Sequence, residues 1–150
     1  MDRVDDFLYE KESYQIRGAC FEVYNKFGGA FKESIVDKSL TLELKSRGME
    51  VEDQKRIDIH FKGVKVGTYI PDKIVNEKII LELKSKAFLL KSDFDQFWKY
   101  LKGSSYKLGF LINFGPSSLE IKRVVYDKAR SQRKFTLAFI GEYFISVNQC

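Results

Sequence analysis

A strand, a helix and a second strand follow one another in the middle of the chain, and this succession constrains the fold most. Ile79–Lys84 alternates like a β-strand, and a helix is predicted from an N-cap at Ser92 to Leu101. The run Leu108–Phe114 is almost continuously apolar, as in a strand buried on both faces. This order predicts a crossover between parallel neighbours, and therefore an α/β protein.

Two helices are predicted before the strands. The first ends at Gly28-Gly29, and its apolar residues recur at helical spacing: Ile16, Cys20, Val23 and Phe27. The second runs from about Phe31 to Arg47 and carries one apolar stripe: Val36, Leu40 and Leu44. Glu33 lies in its first turn, at the edge of that stripe. It either points toward the packed side or simply complements the helix dipole, and the second interpretation is the simpler one.

The remaining segments are predicted to be strands. Alternation begins around Ile57–Phe61, and further strands are expected over Thr68–Val75, Lys78–Lys84 and, as an edge strand, Leu119–Tyr126. Residues 126–150 differ in composition, because a basic linker precedes two apolar runs that predict a β-hairpin. The basic residues, candidates for binding nucleic acid, are Lys128, Arg130, Arg133 and Lys134.

Composition is consistent with one globular domain over residues 1–150. The chain is 44% hydrophobic, which is too apolar for a disordered protein, and its net charge of +5 favours an anionic partner such as nucleic acid. Cys20 and Cys150 are too far apart in sequence to suggest a disulfide framework, and Cys20 is expected in the core. The N-terminus lacks the pattern of a signal peptide and no run reaches membrane-spanning length, so a cytoplasmic location is expected.

Three charged residues in the strand region form a candidate site. Asp72 precedes the Glu82-Leu83-Lys84 unit, and Glu82 and Lys84 share one face of their strand because they are two residues apart. Neighbouring carboxylates either share a proton or bind a hard cation such as Mg²⁺, and a lysine beside them can stabilise a phosphate's charge or hold a water. The pattern suits metal-dependent phosphodiester hydrolysis, although Glu82 and Lys84 also fit an ordinary exposed strand pair.

A shared site requires a particular register at the turn after Val75. A two-residue loop of Asn76 and Glu77 would send Asp72 and Glu82 to opposite faces of the sheet. Pairing of Val75 with Ile79 around a three-residue loop, or a bulge, would set Asp72 directly across from Glu82. We therefore predict one of these two arrangements.

The segment PDKIVNEKIILELKS resembles the motif of the PD-(D/E)XK nuclease superfamily, with Pro71-Asp72 and Glu82-Leu83-Lys84 matching it literally. Blocks between Tyr14 and Val125 also resemble, in order and spacing, the bacterial GxxExxY proteins of that superfamily. Two departures lie in the motif that names those proteins, where Ala30 and Val36 replace its glycine and tyrosine. In a later block, Asp95 and Lys99 replace a small residue and an asparagine.

The resemblance implies a restriction-endonuclease-like α-β-β-β-α-β core, over about residues 14–125, with a mixed central sheet flanked by helices. An N-terminal helix and the C-terminal β-hairpin would extend that core. It implies that Asp72 and Glu82 bind Mg²⁺, with Mn²⁺ as the alternative, that Lys84 is the catalytic lysine and that Glu33 is the helix acid and a further metal ligand. Gln96 would be a helix glutamine of the site. A helical wheel places Gln96 nearly opposite the aromatic stripe, so either that helix is covered on two sides or Gln96 does not reach the site.

Two functional hypotheses follow. The first is a Mg²⁺-dependent nuclease that hydrolyses phosphodiester bonds, in DNA more than in RNA. The second is a catalytically silent module on the same fold that binds nucleic acid or serves assembly. The apolar C-terminal hairpin also raises the hypothesis of a homodimer contact, although it could equally pack on its own domain.

Overall fold

A computed structural model describes residues 8–29 and 31–126 of the chain. That part forms three helices and seven strands. In chain order they are α1 (Glu10–Phe27), α2 (Glu33–Ser46), β1 (Val51–Asp53), β2 (Ile57–Phe61), β3 (Val64–Tyr69), β4 (Lys73–Val75), β5 (Ile79–Lys84), α3 (Lys91–Gly103), β6 (Leu108–Phe114) and β7 (Leu119–Val125).

The main sheet is mixed. It has five strands in the order β1-β4-β5-β6-β7, in which β5 and β6 are parallel and the other pairs are antiparallel. The predicted crossover is confirmed, because α3 connects the parallel neighbours β5 and β6. Helices, strands and their order agree with a restriction-endonuclease-like α/β core, which confirms the predicted fold class.

Helices cover both faces of this sheet. On one face, α1 and α2 pack through residues such as Ile16, Leu40 and Leu44 against Leu81 and Phe110. The other face packs against α3, whose buried residues are Phe97, Trp98 and Leu101. Cys20 is fully buried in the first core, as predicted, and burial raises the pKa of its thiol to about 12. Its chemistry is therefore that of a packed apolar residue.

The predicted N-cap of α3 is wrong. The helix begins at Lys91 and not after Ser92, and Leu90 holds the cap position. The reason is the Asp93 carboxylate, which accepts a hydrogen bond of 2.9 Å from the Leu90 N–H and also binds Lys86. The acidic group at the third helical position thus binds the backbone N–H of the cap residue itself, and its charge complements the start of the helix.

The predicted strand Thr68–Val75 is also wrong, because the chain breaks it into two. β3 ends at Tyr69 and pairs with β2 in a separate two-stranded sheet, whereas β4 begins at Lys73 and joins the main sheet. Pro71 lies at the break and has no N–H to donate to a strand ladder. The two sheets therefore diverge at Pro71 and Asp72.

The turn after β4 has the register that a shared site requires. Val75 pairs with Ile79 and Lys73 pairs with Leu81, so the loop between the strands has three residues, Asn76 to Lys78. Its first two residues have positive φ, and the Lys78 N–H closes it on the Val75 carbonyl at 3.0 Å. The prediction of a three-residue loop is confirmed.

Two sequence predictions lie elsewhere. The basic residues 128–134 and the C-terminal hairpin, with its proposed dimer contact, fall outside the described residues. Within the part that is described, no helix is both long enough and apolar enough to cross a membrane.

Candidate functional site

Asp72 occupies the point where the two sheets separate. Its backbone carbonyl accepts a hydrogen bond of 3.1 Å from the Gln54 N–H, which anchors the chain just after Pro71. Its carboxylate oxygen Oδ2 accepts the Leu83 N–H at 2.7 Å. The ladder between β4 and β5 stops at Lys73 and Leu81, so this carboxylate takes the place of the next backbone acceptor. Asp72 is thus held by the end of the strand that carries Glu82.

Glu82 lies across from Asp72, one step beyond the last pair of the ladder. Opposed residues of antiparallel strands share a face, so the two carboxylates lie on the same side of the sheet, and Lys84 joins them two residues later. The Tyr69 hydroxyl donates a hydrogen bond of 3.1 Å to Glu82 Oε1. The Tyr69 ring in turn stacks on Tyr100 of α3, with centroids 4.1 Å apart and planes at 4°.

The site holds negative charge in a partly dry environment. Burial raises the pKa of Asp72, and the charges of Asp37 and Glu33 raise it further, against the lowering effect of the Leu83 N–H. Burial is also the main cause that raises the pKa of Glu82 to about 7, followed by the Asp72 charge. Tyr69 and Lys84 lower the pKa of Glu82 but do not offset these effects. Nearby positive charge therefore does not fully offset the negative charges of Asp72 and Glu82.

The donor set fits a hard divalent cation. Two facing carboxylates with raised pKa values gain from a bound positive charge, and oxygen is the ligand atom that Mg²⁺ prefers. Among residues 8–29 and 31–126, no three His, Cys, Asp or Glu side chains are grouped as a complete metal-binding set. Mg²⁺ is often held by one or two carboxylates with waters in its other positions, and the pair of Asp72 and Glu82 is compatible with such a site.

Glu33 stands apart from the carboxylate pair. It is the first residue of α2 and is exposed, yet its charge contributes to the raised pKa of Asp72. The charge of Glu33 thus acts on Asp72, but Glu33 is not grouped with Asp72 and Glu82 among the described residues. Its position at a helix start also complements the helix dipole, and its role as a ligand remains a prediction.

Gln96 is exposed on α3. Asp93, Gln96 and Tyr100 lie on one face, because they are three and four residues apart. Asp93 pairs with Lys86 at 2.6 Å and Tyr100 stacks on Tyr69, so that face is in contact with the surroundings of Glu82. Gln96 itself is exposed between these two contacts, so its place in the site remains a prediction.

Sequence patterns missed a buried lysine next to Asp72. The Lys73 side chain is fully buried on the other side of β4, where its ammonium contacts Asp37, Thr41 Oγ1 at 2.7 Å and Asp53 Oδ1 at 2.9 Å. These contacts tie β4 to α2 and β1, and Asp37 also acts on the pKa of Asp72. The sequence held one indication of this cluster: Asp37 lies one helical turn after Glu33 and therefore on the same side of α2 as that predicted site residue.

A second missed group fixes the chain after Lys84. Asn113, which pairs with Lys84 in the parallel ladder, is fully buried. Its carboxamide accepts the Lys86 N–H at 2.8 Å and donates to the Lys86 carbonyl at 3.1 Å and to Glu120 Oε2 at 2.8 Å. Glu120 also accepts the Leu89 N–H at 3.0 Å. The backbone just beyond Lys84 is therefore fixed through both the N–H and the carbonyl of Lys86.

Comparison with known proteins gives one family and one solved structure. The family model of the PD-(D/E)XK nuclease superfamily matches residues 10–124. A solved structure described as "Crystal structure of SSO0001" is similar with a TM-score of 0.46 and 20% identity, over 71% of this chain. The match spans 57% of the length of that other chain. No curated protein matches the sequence.

Proposed function

Because the chain belongs to the PD-(D/E)XK nuclease superfamily, we propose that it is a metal-dependent nuclease whose site is built on Asp72, Glu82 and Lys84. The observation that carries the proposal is the register of β4 and β5, which sets the two carboxylates face to face with Lys84 beside them. Within the superfamily, the similarity to GxxExxY proteins is part of this proposal.

Each residue has a distinct role in the proposed site. Asp72 and Glu82 bind the divalent cation, for which we propose Mg²⁺ with Mn²⁺ as a substitute, and Glu33 is the further acid whose charge already acts on Asp72. When bound, the ion supplies Lewis acidity and a more acidic water. Lys84 stabilises negative charge on the phosphate and holds the attacking water, while Gln96 contacts the substrate from the α3 side.

Nucleic acid is the substrate class that the superfamily implies, and DNA is the proposed substrate ahead of RNA. The net charge of +5 supports a polyanionic substrate, and Lys128, Arg130, Arg133 and Lys134 add to that charge from the tail. A cytoplasmic location remains part of the proposal, on the grounds of cysteine usage.

The decisive experiment measures cleavage of single- and double-stranded DNA and RNA, in Mg²⁺ and in EDTA. We expect cleavage that requires Mg²⁺ and falls by at least about a hundredfold in Asp72→Ala, Glu82→Gln and Lys84→Met. The first two variants remove a ligand of the cation and the third removes the ammonium group, and both positive charges stabilise the reacting phosphate. Matched controls are Glu22→Gln and Lys26→Met, both exposed on α1 and expected to leave cleavage unchanged. Cleavage that persists in Asp72→Ala would rule out the proposed site.

The silent binding module stays the second candidate, favoured by one observation. Within the described ranges, the acids near Asp72 do not form a three-ligand metal set, so the chain alone supplies a modest cation site. Binding of nucleic acid that is weakened by salt, together with no cleavage in either Mg²⁺ or Mn²⁺, would establish this candidate instead.

A further inference from the structure

The strands β2 and β3 form an arm, defined as residues 57–69, that leaves the main sheet at Pro71. Its turn is tight, since Phe61 pairs with Val64 across Lys62 and Gly63, and both turn residues have positive φ. The base of the arm is the Tyr69 position, whose hydroxyl binds Glu82. The arm is therefore rooted directly in the candidate site.

One face of the arm is apolar over its whole length, but only its base is covered. Near the base, Ile57, Ile59 and Tyr69 pack into the core formed with α3. That helix ends at Gly103, which lies beside Ile59. Phe61 continues the face beyond this point. Because of the register shift between Ile59 and His60, Phe61 pairs with Val64, and the two side chains lie on the same face of the arm.

The uncovered part, here called the arm tip (residues 61–66), combines exposed apolar and cationic side chains. Phe61 is 64% exposed, and Val64 and Val66 are each 63% exposed. The Lys62 ammonium lies 5.5 Å from the centroid of the Phe61 ring. Lys62 forms no ion pair with any residue that the structure describes, whereas Lys65 pairs with Asp58 at 3.3 Å. Asp58 is the single acidic residue of the arm sequence.

We propose that the arm tip binds unpaired bases of a nucleic-acid strand, with Phe61 as the stacking surface and Lys62 and Lys65 as phosphate contacts. An exposed aromatic ring beside cations suits a ligand that is both flat and anionic, and stacking on such rings is tolerant of sequence. A protein partner would need apolar complementarity but would gain less from the cationic excess. The inference deepens the proposed function and rests on it for the choice of substrate class.

The length of the arm determines how far apart the arm tip and the candidate site would contact the same nucleic-acid strand. Five residues separate Val64 from Tyr69, which at about 3.3 Å per residue places the tip about 17 Å from the base. On a stacked strand, with a rise of about 3.4 Å per base, this corresponds to about five base steps, and on an extended strand to fewer. A substrate with a single-stranded segment within about five nucleotides of the cleaved bond would contact both places, whereas bases in a regular duplex are stacked and would have to be separated first.

The test is equilibrium binding of labelled 20-nucleotide single-stranded DNA and of the matching duplex, measured by fluorescence anisotropy in EDTA so that no cleavage occurs. We expect Phe61→Ala to weaken binding of the single strand about 10- to 100-fold and that of the duplex less than about threefold, since one base stack contributes on the order of 1–3 kcal/mol. Lys62→Ala should reduce the salt dependence of single-strand binding by about 0.7 in the log–log slope. The matched control is Phe21→Ala, which removes an exposed phenylalanine from α1 on the other side of the sheet and should change nothing.

A second readout reports stacking itself. In Phe61→Trp, tryptophan fluorescence should be quenched when the single strand binds, whereas wild type contains only Trp98, which is buried and should not respond. Unchanged single-strand affinity in Phe61→Ala, or no binding by wild type, would refute the inference. The inference would also be refuted if light scattering showed a dimer of wild type and a monomer of Phe61→Ala, since the arm tip would then be a contact between two copies of the chain. Asp72→Ala separates this inference from the proposed function, because the variant should still bind the single strand through Phe61. If wild type binds in this way but cleaves nothing, only the proposed nuclease activity is overturned.

Discussion

At the scale of single residues, the site depends on side chains that hold the acids as much as on the acids themselves. Tyr69 donates to Glu82 while its ring is fixed by Tyr100, so the hydroxyl has little freedom to leave. On the other side of the sheet, Lys73 joins Asp37, Thr41 and Asp53 directly behind Asp72. Neither residue is among those that match the superfamily motif literally.

We predict that Tyr69→Phe lowers the cleavage rate about tenfold at neutral pH, because a hydrogen bond to a charged group is lost and such bonds contribute on the order of 1.5 kcal/mol. Initial rates under saturating Mg²⁺ provide the measurement, with melting temperature as a check on folding. Tyr14→Phe is the matched control, since Tyr14 is 73% exposed on α1. Equal rates for Tyr69→Phe and wild type would show that the hydroxyl does not position Glu82.

The Lys73 cluster makes a second residue-scale prediction. In a double-mutant cycle of Lys73→Met and Asp37→Asn, urea unfolding should give a coupling free energy of about 1–3 kcal/mol, between the values for exposed and buried pairs. The lysine is fully buried and the aspartate side chain is 34% exposed, which is why an intermediate value is expected.

An exposed pair provides the comparison for that cycle. Lys55 and Glu52 are 3.2 Å apart with both side chains more than a third exposed, so solvent screening should leave their coupling much weaker than that of Lys73 and Asp37. Coupling in the Lys73 cycle no larger than this would mean that the buried ammonium does not tie β4 to α2.

At the scale of elements, the turn between β4 and β5 decides whether the site exists. Asn76 and Glu77 both adopt the left-handed conformation, with φ of 51° and 57°, and the Asn76 side chain accepts the Glu50 N–H at 2.8 Å. The turn is therefore tied to the start of β1 as well as to its own strands. A loop one residue shorter would turn Asp72 away from Glu82.

Glu77→Gly should raise the free energy of unfolding by about 0.5–1 kcal/mol, because glycine adopts positive φ without the steric cost that glutamate carries. Glu77 is exposed, so little packing is lost. Urea unfolding measures the change. Glu22→Gly, in the middle of α1, should instead lower stability by about 0.5–1 kcal/mol, as glycine does in helices. Destabilisation of similar size in both variants would contradict the turn's assigned conformation.

At the scale of the whole molecule, two sheets and three helices in the described residues hold opposed carboxylates in a partly dry position. Burial is the largest cause of the raised pKa values of Asp72 and Glu82, and burial is a property of the assembled core. Folding therefore brings two like charges together at a cost that a cation would remove.

Mg²⁺ should accordingly stabilise the folded protein. At a concentration of about ten times the Kd, mass action gives about 1.4 kcal/mol, which corresponds to a rise in melting temperature of about 3–5 °C. Differential scanning fluorimetry in Mg²⁺ and in EDTA measures the shift. Asp72→Ala should abolish the shift and Lys84→Met should retain it, because Lys84 is not a ligand. A shift of full size in Asp72→Ala would place the cation elsewhere.

The sequence by itself determined the parts of this protein that depend on local patterns. Periodicity predicted α1, α2, the β5–α3–β6 crossover and the edge strand β7, because a helix or strand buries one stripe or face whatever its partner is. Parity, given a site shared by Asp72 and Glu82, also limited the turn to a three-residue loop or a bulge, and the structure has the loop.

Only the tertiary structure decided where the strand Thr68–Val75 breaks, what surrounds Lys73 and how far the arm extends beyond α3. The break depends on which of two sheets each half joins, and the lysine meets Asp37 from 36 residues away. The uncovered tip depends on where α3 ends in space relative to Ile59. These features come from contacts between segments remote in sequence, for which no local period of 2 or 3.6 residues carries information.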